Sequence, residues 1–276
     1  MALLPDSPWT VVLPVKSLDV AKTRLDPKGR RGALALAFFR DALAAVVASP
    51  RVGSVIVVTG DQVIGSIAEE HGCTVVDDTG HPGINEAAAW AVAATDAGVP
   101  VAVMVSDLPC LTPEALSAVF DAAVHGEHET AFLADADGTG TTMWLRSAGS
   151  GIDSRFGPES AAAHRSSGAA DLAASGLGVA TDPARRDVDT DDDLARARAL
   201  GVGAHTRAVL ASVTAASAAI VTALRMTELG ALEVADEQGR RHTVDWESLA
   251  AAGFREVRPG QRLVLDLTTS TVVGLP

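Results

Sequence analysis

VAVMVSDLP, Val101–Pro109, begins with five apolar residues and breaks off at Ser106-Asp107. A strand with one face in water alternates apolar and polar residues; a strand that is apolar throughout is buried on both faces. The stretch therefore reads as an interior strand of a sheet with helices on either side. The same texture recurs in WTVVLPVK, Trp9–Lys16, and in SVIVVT, Ser54–Thr59. Between the strands lie segments of helical length: Ala33–Ala48, Gln62–His71 with Gly72 as its C-cap, and the Ala-rich Asn85–Thr95, ended by Gly98 and Pro100. Thr74–Val76 is a further short strand. Thr112-Pro113-Glu114 opens another helix, with Thr as N-cap and Pro at the first helical position. Thr130–Leu133 and Thr142–Leu145 read as strands around a Gly/Thr loop. Strands alternating with helices predict a mostly parallel sheet covered on both faces, an α/β fold. Such sheets bind ligands beyond the carboxyl ends of their strands, which directs attention to the residues just after each apolar run.

Composition narrows the function classes. The 276 residues suit one large domain, or a large and a small one. With 47% apolar and 21% charged residues, a chain disordered throughout is excluded. A net charge of −13 speaks against a nucleic-acid binder with a broad basic face, but leaves a nucleotide substrate open. Cys73 and Cys110 form no C-x-x-C pattern, so a structural zinc site is not expected and two free thiols in a reducing cytoplasm are. The start, MALLPDSPW, lacks the regions of a signal peptide, and no run of about 18 apolar residues spans a membrane. The expectation is a cytoplasmic protein with no membrane partner.

The texture changes after Leu200. Residues 201–217 are small and weakly patterned. From Ala218 five β-like stretches follow: AIVTALRM, GALEVAD, RHTVDW, QRLVLDL and STVVGL. They predict a small β-barrel. Charge divides in the same place, with −1 over residues 206–276 and −12 over the rest. The expected organisation is an α/β domain over 1–205, a linker over 206–217 and a barrel over 218–276.

Five groups of residues carry chemistry. Asp107 follows the apolar strand directly, where ligands bind; the alternative is a turn-capping residue before Pro109. Asp187 and Asp189 lie two apart in RDVDTDDD, so in an extended segment both point one way, with Val188 facing outward. Paired like charges call for a cation, and Mg²⁺ is the hard ion that takes oxygen ligands. The competing explanation, helix capping by Thr190 and Asp193, accounts for those two residues only. GTGTT, Gly138–Thr142, offers flexible backbone and hydroxyls to an anion, or is an ordinary hairpin turn. RFGPES, Arg155–Ser160, followed by His164-Arg165, offers N–H groups at a helix start. Finally, the only three lysines, Lys16, Lys22 and Lys28, share one short window. Lys16, Lys22 and Arg24 suit a triphosphate, whereas Lys28, Arg30 and Arg31 suit a solvated turn. The chain has no Walker motif, no G-x-G-x-x-G and no G-x-S-x-G, which disfavours P-loop, Rossmann and α/β-hydrolase chemistry.

Together these segments resemble the phosphoenolpyruvate or 2-phospho-L-lactate guanylyltransferase family of coenzyme F-420 biosynthesis. The pieces that carry the resemblance are PVKSLDVAKTRL (14–25), SDLPCLT (106–112), ADGTGTTMWL (136–145), RFGPESAAAHRSSGA (155–169) and RDVDTDDDL (186–194). They stand in the family's order over residues 9–202. The resemblance implies a three-layer, GT-A-like nucleotidyltransferase fold. It implies Asp107, Asp187 and Asp189 as metal carboxylates for Mg²⁺, and Thr141, Gly157 and Ser160 as holding a phosphorylated three-carbon acid. It further implies that Lys16, Lys22 and Arg24 face the GTP phosphates, with Asp107 and these cations as the catalytic set. Asn85 matches a family position near the nucleotide, its alternative being an ordinary N-cap. The acceptor it suggests is phosphoenolpyruvate, with 2-phospho-L-lactate and 3-phosphoglycerate as alternatives, and a downstream F-420 biosynthesis transferase as partner.

The C-terminal stretches resemble a cold-shock-type OB barrel. Its aromatic-rich strands are missing here, since only Trp246 and Phe254 remain, so nucleic acid is not an expected partner. Two rival functions stay open: a related nucleotidyltransferase acting on a sugar phosphate or molybdopterin, and an OB-fold adaptor or RNA-binding protein with a degenerate α/β scaffold.

Overall fold

The computed structural model of the chain describes residues 8–16, 31–78, 83–93, 95–96, 98–148, 154–227, 230–251, 254–267 and 270–275. It divides into two compact units, Met1–Arg207 and Ala208–Pro276, each with its own sheet. Among the described residues no helix is long and apolar enough to cross a membrane.

In the first unit the strands are β1 (Trp9–Pro14), β2 (Val52–Val58), β3 (Thr74–Val76), β4 (Val101–Met104), β5 (Thr130–Ala134), β6 (Thr141–Arg146) and β7 (Ala170–Asp171). They lie in the order β3-β2-β1-β4-β6-β5-β7. Every neighbouring pair is parallel except those made by β6, which runs antiparallel to β4 and β5. The order turns at β1, flanked by β2 and β4, and the crevice beyond such a switch point is where sheets of this kind bind ligands. The apolar strands serve two cores, as the sequence predicts. Val11 and Leu13 of β1 pack with Phe39, Leu43 and Phe120, whereas Val12 packs with Ala88, Val103 and Trp144. Trp9 stacks on Phe120 with ring centroids 4.7 Å apart.

The helices are α1 (Arg31–Ala48), α2 (Gln62–Glu70), α3 (Ile84–Ala93), α4 (Pro113–His125), α5 (Ser160–Ser166), α6 (Asp182–Arg185), α7 (Asp191–Leu200) and α8 (Ala204–Ser217). Local signals fix several of their ends. Thr112 caps α4, accepting from the Ala115 N–H at 3.1 Å. His71 caps α2, one residue before the Gly72 expected there; Gly72 follows with φ +76°. The expected linker is different in kind: residues 206–217 are helical, as most of α8. Its start is capped from far away. The Asp41 carboxylate, on α1, accepts from the N–H groups of His205 and Thr206, both at 2.9 Å.

The second unit contains β8 (Ala218–Met226), β9 (Leu232–Asp236), β10 (Arg241–Val244), α9 (Trp246–Ala251), β11 (Arg262–Asp266) and β12 (Thr271–Gly274). Its sheet is antiparallel in the order β10-β9-β8-β11-β12, a half-barrel; among the described residues no pairing joins β10 to β12. The sequence predicts a small β-barrel; the described residues form a half-barrel. Trp246, read from sequence as the end of the third strand, opens α9 instead. Among the described residues no strand of this sheet holds a Phe, Tyr or Trp.

Candidate active site

The residues singled out by the strand-end rule meet at one edge of the seven-stranded sheet. Lys16 lies two residues past β1 and Asp107 three past β4, neighbouring parallel strands. Thr141 opens the antiparallel β6 and so stands at the same edge, where the Val105 N–H donates to the Thr142 carbonyl at 3.0 Å. Lys22 and Arg24, like Lys28 and Arg30, lie outside the described residues.

Asp187 and Asp189 come from the connection between α6 and α7, which is fastened to this edge twice. The Val188 N–H donates to the Asp107 carbonyl at 3.2 Å. Arg185 donates from Nε to the Ala134 carbonyl (3.0 Å) and from Nη2 to the Asp135 carbonyl (2.7 Å). Val188 points inward and is fully buried, contrary to the sequence expectation. Burying a valine stabilises by about 1.5–3 kcal/mol, so this side chain acts as the peg between the two carboxylates. Thr190 and Asp193 form the capping box of α7 as expected.

The electrostatics of the edge are dominated by like charges. The Asp187 carboxyl is pushed up to about 7, first by burial and then by the neighbouring carboxylates of Asp107, Asp135 and Asp189. Among the described residues no three His, Cys, Asp or Glu side chains form a group that could hold a metal by themselves. Mg²⁺ does not need such a cage: it is commonly held by one or two carboxylates, with water and substrate phosphates completing its shell. Asp107 and Asp187 offer the hard oxygen donors that suit it, and an adjacent cation would relieve the repulsion that raises Asp187.

The Gly/Thr loop joins β5 to β6 as a tight turn built around Asp135. Its carboxylate accepts from the N–H groups of Thr139 (2.9 Å) and Gly140 (2.7 Å), and a side chain at Gly140 would collide with it. These N–H groups are thus engaged with Asp135, and the hydroxyl of Thr141 lies 3.0 Å from His164 Nδ1. The Ala161 N–H donates to the Thr139 carbonyl at 3.1 Å, which sets the start of α5 against the loop. Thr141, Gly157 and Ser160 are thereby brought to one neighbourhood. Gly157 has φ +143°, a conformation that favours glycine. Ser160 and Thr141 are both buried.

Asn85 is the second residue of α3, not its cap. Its amide donates to the Phe156 carbonyl (2.9 Å) and accepts from the Phe156 N–H (2.8 Å). It therefore braces the Arg155–Gly157 segment from across the site.

The family model described as "Guanylyl transferase CofC like" matches residues 9–217. The chain belongs to this family. A relative from Streptomyces avermitilis, named phosphoenolpyruvate guanylyltransferase, is 44% identical over 209 residues, which cover 74% of this chain and 94% of the relative. One of the same name from Salinispora arenicola is 42% identical over 201 residues, covering 72% and 91%. As a family member the chain is a nucleotidyltransferase enzyme, which sets aside the adaptor reading. Its fold agrees with that of a solved putative nucleotide-diphospho-sugar transferase from Desulfovibrio desulfuricans, at TM-score 0.52 and 17% identity, covering 76% of this chain and 96% of that one.

Sequence reasoning missed Asp135, although it follows the apolar run TAFLA just as Asp107 follows VAVMV, and the same rule identifies it. It also passed over Arg185, whose role depends on carbonyls about 50 positions away.

Proposed function

We propose that this chain transfers a guanylyl group from GTP to phosphoenolpyruvate, releasing pyrophosphate, in the coenzyme F-420 pathway, where a downstream transferase consumes the product. The observation that carries this reading is the 44% identity, over nearly their whole length, to relatives named for that activity. The layout of the sheet edge supports it, with Asp107 and the buried Thr141 placed at the same end of neighbouring strands.

In the reaction a phosphate oxygen of phosphoenolpyruvate attacks the α-phosphorus of GTP, and the bond to the β-phosphate oxygen breaks. The nucleophile is already an anion, so no general base is needed and catalysis rests on positioning and charge neutralisation. Asp107 and Asp187 would hold Mg²⁺, with Asp189 adding negative charge beside them; the bound ion would neutralise charge on the phosphates. Thr141, Gly157 and Ser160 orient the acceptor. Lys16, with Lys22 and Arg24, offsets the charge of the departing pyrophosphate. Asn85 acts on this scheme through the acceptor loop it braces.

The test is pyrophosphate release from purified protein supplied with GTP, Mg²⁺ and each of phosphoenolpyruvate, 2-phospho-L-lactate and 3-phosphoglycerate, with the product mass read in each case. Release with phosphoenolpyruvate and a guanylylated product is the expected result. Release with only 2-phospho-L-lactate or 3-phosphoglycerate would overturn the choice of acceptor, and release with none of the three would overturn the reaction.

A further inference from the structure

We propose that His164 is a positioning residue that holds the Thr141 hydroxyl as a hydrogen-bond donor and thereby selects an anionic acceptor. The inference rests on the reading of Thr141 as part of the acceptor site.

Two contacts of the buried His164 ring fix where its proton sits. The backbone N–H of Arg155 donates to His164 Nε2 at 2.8 Å. A ring nitrogen that accepts carries no proton, so the proton of the neutral imidazole sits on Nδ1. Nδ1 lies 3.0 Å from Thr141 Oγ1. Nδ1–H must therefore donate to the threonine oxygen, and the reverse arrangement is closed to the pair. A threonine oxygen that accepts from within still has its own proton to give. Thr141 thus presents a donor to whatever binds beside it, and a carboxylate or phosphate oxygen accepts it more strongly than a neutral hydroxyl does.

The ring is locked in this orientation. His164 is fully buried. Phe132 packs against it with centroids 5.4 Å apart, and Phe156 meets it edge-on at 5.8 Å. Arg155, which fixes the tautomer, adjoins Phe156, whose backbone Asn85 holds on both sides. A polar chain so runs from Arg155 through His164 to Thr141, with one direction throughout. The group it fits is an anionic oxygen, which the phosphorylated acid of the proposed reaction supplies.

Two measurements decide it. In the full-length protein labelled with ¹⁵N at histidine, a long-range ¹H–¹⁵N spectrum should show His164, assigned by its loss in His164→Gln, protonated at Nδ1 and unprotonated at Nε2. Protonation at Nε2 overturns the proposal whatever the substrate. The second measurement is steady-state kinetics with GTP and the phosphorylated acid that the wild type uses. His164→Gln keeps an acceptor near Nε2 but loses the Nδ1 donor; His164→Asn keeps a donor near Nδ1. Thr141→Val and His164→Gln should each raise KM for the acid about 10- to 100-fold, as expected for a lost hydrogen bond to a charged group, and leave KM for GTP nearly unchanged. His164→Asn should recover most of the loss, and the Thr141→Val/His164→Gln pair should be no worse than Thr141→Val alone. Equal effects on both substrates, or fully multiplicative losses in the pair, would show that His164 serves the fold and not Thr141. Absence of turnover with every phosphorylated acid would instead defeat the proposed reaction, leaving the tautomer measurement to decide the role of His164.

Discussion

Asp187→Asn removes the most strongly perturbed carboxylate of the sheet edge, and its consequences for stability and activity run in opposite directions. The Asp187 carboxyl is raised from 3.8 to about 7. At about 1.4 kcal/mol per unit this is at most about 4 kcal/mol, and solvent screening at a half-buried group lowers it to about 1–3 kcal/mol. The sign follows from linkage: the unfolded chain ionises near pH 4, the folded one only near 7. Folded wild type therefore loses stability as pH rises across that window, and the Asn variant does not. In EDTA at pH 8, Asp187→Asn should melt about 2–12 °C higher than wild type, at about 2–4 °C per kcal/mol for a chain of this size. The gap should shrink as the pH falls and close near pH 4. The same variant should lose at least about 100-fold in kcat/KM, since even residues behind a metal's direct ligands typically contribute 10- to 100-fold. Added Mg²⁺ should raise the melting temperature of wild type more than that of the variant. Parallel pH profiles for the two proteins in EDTA, or near-normal turnover by the folded variant, would refute the reasoning.

Gly157→Ala should cost about 1–3 kcal/mol of local strain, because φ +143° suits glycine, and should raise KM for the acceptor in steady-state kinetics. Asn85→Ala strips the Phe156 backbone of both side-chain partners; a loss of about 1–3 kcal/mol in the thermal melt and weaker acceptor binding are expected. Asp41→Ala uncaps α8 and should lower stability by about 0.5–2 kcal/mol in denaturant melts while turnover is kept. Deleting residues 218–276 should leave guanylyl transfer intact, because the family match ends at residue 217.

The sheet was legible because its strands carry nearly continuous apolar runs, and β1 and β4 run out into polar residues at the ligand edge. Asp107 was found that way, and the Thr112 and Thr190 caps from local spacing. What escaped is non-local. The helix over 204–217 draws its cap from Asp41, 164 positions before His205, so its own weak pattern gave no sign. Asn85 reads as a cap until its bond to Phe156, 71 positions on, is seen. Val188 was assigned outward from alternation alone, because the carbonyl of Asp107 that turns it inward lies on another strand end. In the second unit the strand pattern was right, but alternation cannot report whether the outer strands close on each other.

The most direct test of the account is a crystal structure of the protein with Mg²⁺, a non-hydrolysable GTP analogue and phosphoenolpyruvate. The account predicts the metal on Asp107 and Asp187 and an anionic oxygen of phosphoenolpyruvate accepting from Thr141 Oγ1. A metal away from both carboxylates, or phosphoenolpyruvate bound elsewhere than beside Thr141, would contradict it.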